Sequence, residues 1–159
     1  MFIDRRRESI ELIKPYGGSL INLLVDDEER SMLLRRASDL PSLRLSLRSL
    51  CDLELLATGA FSPLDRFMGK KDYIQVLEEM RLSNGMVFPI PITLPVDKTD
   101  DIKIGKEVAL RSPNNEILAV MKVEEMFEWD LILEAKLVYK TTDTHHPLVA
   151  EMTSWGKVY

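Results

Sequence analysis

The stretch "KEVALRSPNNEILAVMKVEEMF", Lys106 to Phe127, carries the clearest structural signal in the chain. Val108 and Leu110 alternate with other residues on its first arm, and Ile117, Ala119, Met121 and Val123 alternate on its second. A period of two is the mark of a strand with one buried face. Between the arms, Pro113, Asn114 and Asn115 have the chemistry of a turn. The stretch therefore predicts a β-hairpin, part of a curled sheet whose interior is filled by its own apolar side chains.

Upstream lies "MVFPIPITLPV", Met86 to Val96. Met86, Phe88, Ile90, Ile92, Leu94 and Val96 hold alternate positions, and Pro89, Pro91 and Pro95 fill three of the intervening ones. A strand lacking that many amide donors cannot sit inside a sheet, so an edge or a polyproline-like crossing is expected. Before it, Tyr73, Val76, Leu77 and Met80 recur at helical spacing, with "SNG" (Ser83 to Gly85) as the stop. "RSLCDLELLATG" (Arg48 to Gly59) reads as another helix with Gly59 as its left-handed terminator. In "SLRLSL" (Ser42 to Leu47) the leucines alternate as in a strand. "DDEERSMLLRRAS" sets carboxylates ahead of arginines, which suits a helix dipole and i,i+4 pairing. "KPYGGSL" (Lys14 to Leu20) is a turn, followed by Ile21, Leu23, Leu24 and Val25.

Downstream, "WDLILEAKLVY" is a short helix with Asp130 as its cap, and "HPLVAEM" another with Pro147 in its first turn. Short strands with interspersed helices predict the α+β class, as a small mixed β-barrel with flanking helices. Nothing alternates regularly enough for a doubly wound parallel sheet. No repeat or low-complexity tract divides the 159 residues, so residues 1–159 are expected to form a single domain.

Composition narrows the function. Twenty-six acidic against 21 basic residues give a formal charge of -5, the wrong sign for a protein whose affinity rests on neutralising phosphates. Nucleic acid is thus disfavoured as a partner, and the basic runs Arg5 to Arg7 and Arg35 with Arg36 read as solvated faces. The single cysteine, Cys51, excludes an internal disulfide and suits a reducing compartment. "MFIDRRRESIELI" lacks the apolar run of a signal peptide, and no segment approaches the roughly 20 apolar residues of a membrane span. A cytoplasmic location and no membrane partner are expected.

Candidate chemistry centres on "GAFSPLDRFMGKKDY", Gly59 to Tyr73, which has the ingredients of a phosphate loop. Such a loop needs a glycine five positions before Gly-Lys and a hydroxyl directly after it. Gly69-Lys70 and Gly105-Lys106 are preceded there by Leu64 and Asp100 and followed by Lys71 and Glu107, so both fail. Gly17-Gly18 lacks the third glycine of a dinucleotide fingerprint. The loop is instead read as packing, with Ser62-Pro63 turning the chain and Phe61, Leu64, Phe67 and Met68 facing the core. His145 and His146, with Asp143 nearby, are read as the turn before Pro147, because no other metal ligands accompany them. Cys51 is expected to be buried in its helix. The pairs Glu78-Glu79 and Glu124-Glu125 are sequence neighbours that point apart, which disqualifies them as acid/base pairs. No catalytic, cofactor-binding or metal residue is assigned.

Three blocks carry a family resemblance: "DLELLATGAFSPLDRFMGKKDY" (Asp52 to Tyr73), "VLEEMRLSNGMVFPIPITLPV" (Val76 to Val96) and "EAKLVYKTTDTHHPLVAEMTSWGK" (Glu134 to Lys157). Together with "IKPYGGSLINLL" (Ile13 to Leu24), they resemble, in order, the amino-terminal region of ATP sulfurylase, or sulfate adenylyltransferase. Arg66 and Leu148 stand where glycine is frequent in that family, and Phe88 where tryptophan is frequent. "HPLVAEM" followed by "WGK" is similar to the branch fused to an adenylylsulfate kinase.

The resemblance implies a PUA-like barrel within a family that makes adenosine 5'-phosphosulfate and pyrophosphate from ATP and sulfate, usually as homo-oligomers. It also implies that the catalytic domain, with its Gln-x-Arg-Asn, His-x-x-His and Gly-Arg-x-His elements, lies beyond Tyr159. None of those elements occurs here: Gln75 is followed by Val76 and Leu77, and the two histidines are adjacent. The expectation is an accessory domain, inactive alone and without a cofactor of its own, since MgATP is a substrate of the full-length family. Its expected partners are the sulfurylase catalytic domain and, in the full-length protein, further copies of itself. The alternatives are a free-standing PUA-like module binding a ligand, peptide or RNA, and an enzyme with an unrecognised site.

Overall fold

The computed structural model describes residues 12–97 and 102–159. Arg5 to Arg7 and Asp100 therefore lie outside the described residues. The element order is α1 (Asp27–Ala37), β1 (Ser42–Arg44), α2 (Leu47–Ala57), α3 (Lys70–Glu79), β2 (Glu107–Arg111), β3 (Ile117–Lys122), α4 (Leu131–Val138) and α5 (Pro147–Met152).

The hairpin forms as its alternation predicts: β2 and β3 pair antiparallel, with Val108 opposite Met121 and Leu110 opposite Ala119. Asn115 takes the left-handed conformation in the turn (φ 71°). A register shift falls between Leu110 and Arg111, where a bulge bends the ladder. On the other edge of β2, β1 pairs in parallel, with Leu43 beside Leu110. The result is an open three-stranded sheet in the order β1-β2-β3, so the expected barrel is not closed. The reason lies in the proline-rich stretch. It contributes only isolated bridges, Arg81 with Val87 and Val96 with Val158, because its prolines have no amide to donate to a ladder. Val158 bridges Glu128 as well, so the C-terminal residues stitch the two segments together without forming a regular strand.

Local signals set most helix ends. Asp26 caps α1 by accepting from the Glu29 amide, with acidic residues in the first turn and Arg35 and Arg36 in the last. Arg36 finds its partner in β2, at Glu107 (2.8 Å), rather than within its own helix. Ser46 caps α2, so Leu47 opens that helix rather than extending β1. Asp130 caps α4 through the Ile132 and Leu133 amides, and Pro147 opens α5. The helix α3 ends at Met80, which adopts φ 55° and stands exposed, three residues before the expected "SNG" stop. A tight reversal follows, closed by Leu82 N–H to Met86 O (2.8 Å) and Phe88 N–H to Met80 O (2.8 Å).

Besides a small cluster of Ala135, Val149 and Met152 between α4 and α5, two larger apolar clusters fill the interior. One gathers Leu56, Leu64, Met68, Tyr73, Val76, Phe88 and Ile92 between α2, α3 and the proline-rich stretch. The other joins Leu45, Leu94, Val96, Val108, Leu110 and Val158 against the sheet. Burying a leucine or isoleucine such as Leu56, Leu110 or Ile92, each almost wholly covered, contributes about 1.5–3 kcal/mol. Of the alternating residues in the proline-rich stretch, Ile90 alone is exposed.

Candidate functional site

The loop from Gly59 to Lys70 is held by packing and backbone geometry. Gly59 has φ +83°, and a Cβ there would lie 2.1 Å from the Ile21 carbonyl oxygen, so the position both ends α2 and lets the Leu20–Ile21 backbone pass close by. The Ser62 hydroxyl donates to Gly59 O (2.6 Å) and accepts from the Ile21 amide (3.0 Å). The Ser62-Pro63 peptide is cis. Leu64 and Met68 are buried, while Phe61 and Phe67 pack half-buried against them, as the sequence indicates.

The start of α3, where a phosphate loop would deliver its anion, already holds one. The Glu125 side chain accepts from the Lys70 amide at 3.0 Å, reaching it across 55 residues of sequence. Its neighbour Glu124 turns the other way and pairs with Arg66, which also grips Asp65 at 2.7 Å. The hydrogen bond from Arg66 holds the Asp65 carboxyl below the usual range. The two glutamates thus point apart, and both are engaged in fastening the loop to the segment after β3. Glu78 and Glu79 lie exposed on α3.

The most concentrated polar chemistry is internal. Glu134 on α4 is 2% exposed and accepts from the hydroxyls of Tyr73 (2.8 Å) and Tyr159 (3.0 Å) through the same carboxylate oxygen. Burial pushes its pKa up, against the opposing pull of the two hydroxyls and of Arg48. Tyr159 stacks on Trp129 (4.7 Å, 11°), and the Trp129 indole donates to Gly156 O at 2.7 Å. Arg48 lies with its guanidinium carbon 4.0 Å over the Trp155 ring and its Nε 3.7 Å from Asp52. Burial likewise raises the Asp52 pKa, with Arg48 opposing it. This cluster binds α2, α3, α4 and the C-terminal residues together. Its central carboxylate is sealed from solvent, while Arg48 and Trp155 at its margin are partly exposed.

His145 is exposed, with its Nδ1 2.8 Å from Asp143. His146 is half-buried, stacks on Tyr139 (5.4 Å, 29°) and immediately precedes α5. They form the turn expected of them. Among the described residues no group of three or more His, Cys, Asp or Glu side chains could hold a metal ion. Cys51 departs from expectation: it is exposed rather than buried, because α2 packs on the core through Leu50, Leu53 and Leu56 instead. Gly105 sits in an open turn at φ +81°, with its amide already bonded to Val123 O (2.7 Å). A cleft of about 670 Å³ lies between the sheet, α1 and the Asp65–Gly69 loop; Leu33, Leu53, Leu110, Met121 and Met126 form much of its apolar wall.

The three departures from the family pattern have distinct settings. Arg66 makes the ion pairs just described, Phe88 is buried edge-on to Phe61 (6.3 Å, 70°), and Leu148 stands exposed in the first turn of α5. The buried Glu134 centre was not legible in sequence, since its two tyrosine partners lie 61 and 25 residues away from it. A lone glutamate inside the apolar run "LILEAKLV" is the one local hint of it.

A model of the PUA-like domain family matches residues 13–159. The chain is 45% identical over 140 residues to a sulfate adenylyltransferase of Staphylothermus marinus, covering 87% of this chain and 36% of that protein. It is 42% identical over 150 residues to a probable bifunctional SAT/APS kinase 2 of Sorangium cellulosum, covering 93% of this chain and 26% of that protein. Among solved structures, a hexameric APS kinase from Thiobacillus denitrificans superposes with a TM-score of 0.68 at 38% identity, over 76% of this chain and 24% of that one. The chain therefore spans about a quarter to two-fifths of the length of the curated relatives it matches. No helix among the described residues is long and apolar enough to cross a membrane. This chain belongs to the PUA-like domain family, in the form found within sulfate adenylyltransferases.

Proposed function

We propose that this chain is the accessory amino-terminal domain of a sulfate adenylyltransferase, supporting a catalytic domain and the oligomer while carrying no turnover of its own. The parent activity is the conversion of ATP and sulfate to adenosine 5'-phosphosulfate and pyrophosphate, a cytoplasmic step of sulfate activation with MgATP as substrate. The observation that carries this reading is the coverage: the match takes in 87–94% of this chain and 26–38% of each relative. A piece with that relation to an enzyme family is one building block of the enzyme. The internal chemistry agrees, because Glu134, Arg48 and Glu125 each act on neighbouring segments of the same fold.

The test compares two proteins. The purified 159-residue chain should release no pyrophosphate from MgATP and sulfate above the no-enzyme rate. A chimera in which it replaces the matching third of the Staphylothermus marinus enzyme should release pyrophosphate. Turnover by the chain alone, or a folded but silent chimera, would overturn the reading.

A further inference from the structure

The cleft between the sheet, α1 and the Asp65–Gly69 loop leaves apolar side chains open to water: Leu23 and Leu24 ahead of α1, and Leu118 on β3, are each at least 40% exposed. Residues of both faces of β3 border it, Ala119 and Met121 from one and Val120 and Lys122 from the other, so it reaches round the open edge of the sheet to solvent. Its volume of about 670 Å³ falls within the roughly 300–1,000 Å³ of small-molecule pockets.

The polar lining narrows what could enter. Among the described residues no Ser, Thr, Asn, Gln or His side chain borders the cleft, and its one hydroxyl, on Tyr159, is turned to Glu134. A nucleobase or a sugar would lose water there without gaining partners. What remains is charge. The three carboxylates at the cleft are engaged: Asp65 and Glu124 hold Arg66, and Glu125 caps α3 through the Lys70 amide. Glu107, opposite Lys122 in the ladder, is taken by Arg36. Arg30 and Lys122 are thus left exposed, paired with no carboxylate among the described residues.

We infer that the cleft binds an amphiphilic anion, an aliphatic chain ending in a carboxylate, with the chain against Leu33, Leu53, Leu110 and Met121 and the head group held by Arg30 and Lys122. Charge complementarity selects this occupant, because it brings both the apolar body that the walls lack and the negative charge that the two cations lack. Met121 and Met126 suit a flexible tail, since thioether side chains adapt to irregular shapes. The site goes beyond the proposed function and does not depend on it.

The 159-residue chain is titrated calorimetrically with dodecanoate and, separately, with dodecyltrimethylammonium, which carries the same tail on a cationic head, both below the concentrations at which they form micelles. The expected result is saturable binding of one dodecanoate per chain and at least about tenfold weaker binding of the cation, the head-group charge being the main difference between them. Arg30→Glu with Lys122→Glu should leave the urea midpoint unchanged and abolish that preference. Ala119→Phe, which fills the cleft from β3, should weaken both amphiphiles; where it fails to fold, the charge variant decides. No saturable binding overturns the inference, as do equal affinities for the two head groups or several molecules adsorbed per chain. Binding that falls as the chain dimerises assigns the cleft to a second copy and overturns it. Binding by the chain that vanishes in the active chimera assigns the cleft to the rest of the enzyme and overturns it too, while the proposed function stands. Selective binding of dodecanoate supports the inference even beside an inactive chimera, an outcome that overturns only the proposed function.

Discussion

The carboxylate of Glu125 accepts a hydrogen bond from the backbone amide of Lys70 at 3.0 Å and so supplies, from a distant loop, the cap that α3 lacks in its own sequence. Gly69, at the cap position, has no side chain to do it. A negative charge at a helix N-terminus also complements the macrodipole. Glu125→Ala should lower stability by about 1 kcal/mol, and Glu125→Gln by roughly half that, because the amide keeps an acceptor but loses the charge. Urea denaturation of the three proteins decides it: an unchanged midpoint for the alanine variant would mean that water caps the helix equally well.

Gly59 and Gly85 offer a matched contrast. Both take φ above +80°, yet a Cβ at Gly59 would lie 2.1 Å from backbone at Ile21, whereas one at Gly85 would meet open space. Gly85→Ala should cost only the left-handed strain, about 1 kcal/mol. For Gly59→Ala the same strain is joined by a clash that displaces the Leu20–Ile21 segment, so a loss of about 3 kcal/mol or more is expected. Equal midpoints for the two variants would show that Leu20–Ile21 moves aside freely.

What could be read from sequence was local. Asp130 and Pro147 announced α4 and α5, and Gly59 announced the end of α2, because caps and left-handed terminators act within a turn of the residues that encode them. The hairpin was legible for the same reason, its two arms being joined by a short turn. The open sheet was not, since closure depends on whether Val96, Glu128 and Val158 make ladders or single bridges. Cys51 was misplaced because helical spacing gives the stripes but not which stripe turns inward. In the fold Leu50, Leu53 and Leu56 turn to the core, which leaves Cys51 on the outer side. As for the candidate site, the exclusion of a phosphate loop came from spacing alone, but Glu125 as the group occupying the helix start required the fold.

Arg48 should be the most costly surface-adjacent residue to remove. Its guanidinium covers Trp155 at 4.0 Å and opposes the negative charge of Asp52 and Glu134. Because its side chain is 29% exposed, water would soften the loss, and Arg48→Ala is expected to cost roughly 1–3 kcal/mol rather than the full penalty of a broken buried pair. Arg48→Lys should recover part of this, keeping charge without the planar stack. The tryptophan emission maximum should shift in the alanine variant, as the Trp155 face gains solvent. No shift and no loss of stability would mean that Arg48 is dispensable to the cluster.

Glu134 gives the fold a pH dependence whose sign can be worked out. Burial raises its native pKa above the ordinary 4.5, so over an interval starting near 4.5 the folded chain keeps a proton that the unfolded chain has lost. Stability therefore falls as pH rises through that interval, by at most about 1.4 kcal/mol per pH unit for one proton. Asp52, raised for the same reason, adds a contribution of the same sign, whereas Asp65 and Asp143, both lowered, act oppositely. The difference between the native chain and Glu134→Gln isolates the one carboxyl, since glutamine still offers an oxygen to Tyr73 and Tyr159 but does not titrate. Urea unfolding from about pH 4 to about pH 7 should show the variant gaining stability relative to the native chain as the pH climbs. If that difference stays flat across the range, Glu134 ionises in the folded protein as it does in the unfolded one, and the two tyrosine hydroxyls fully offset its burial.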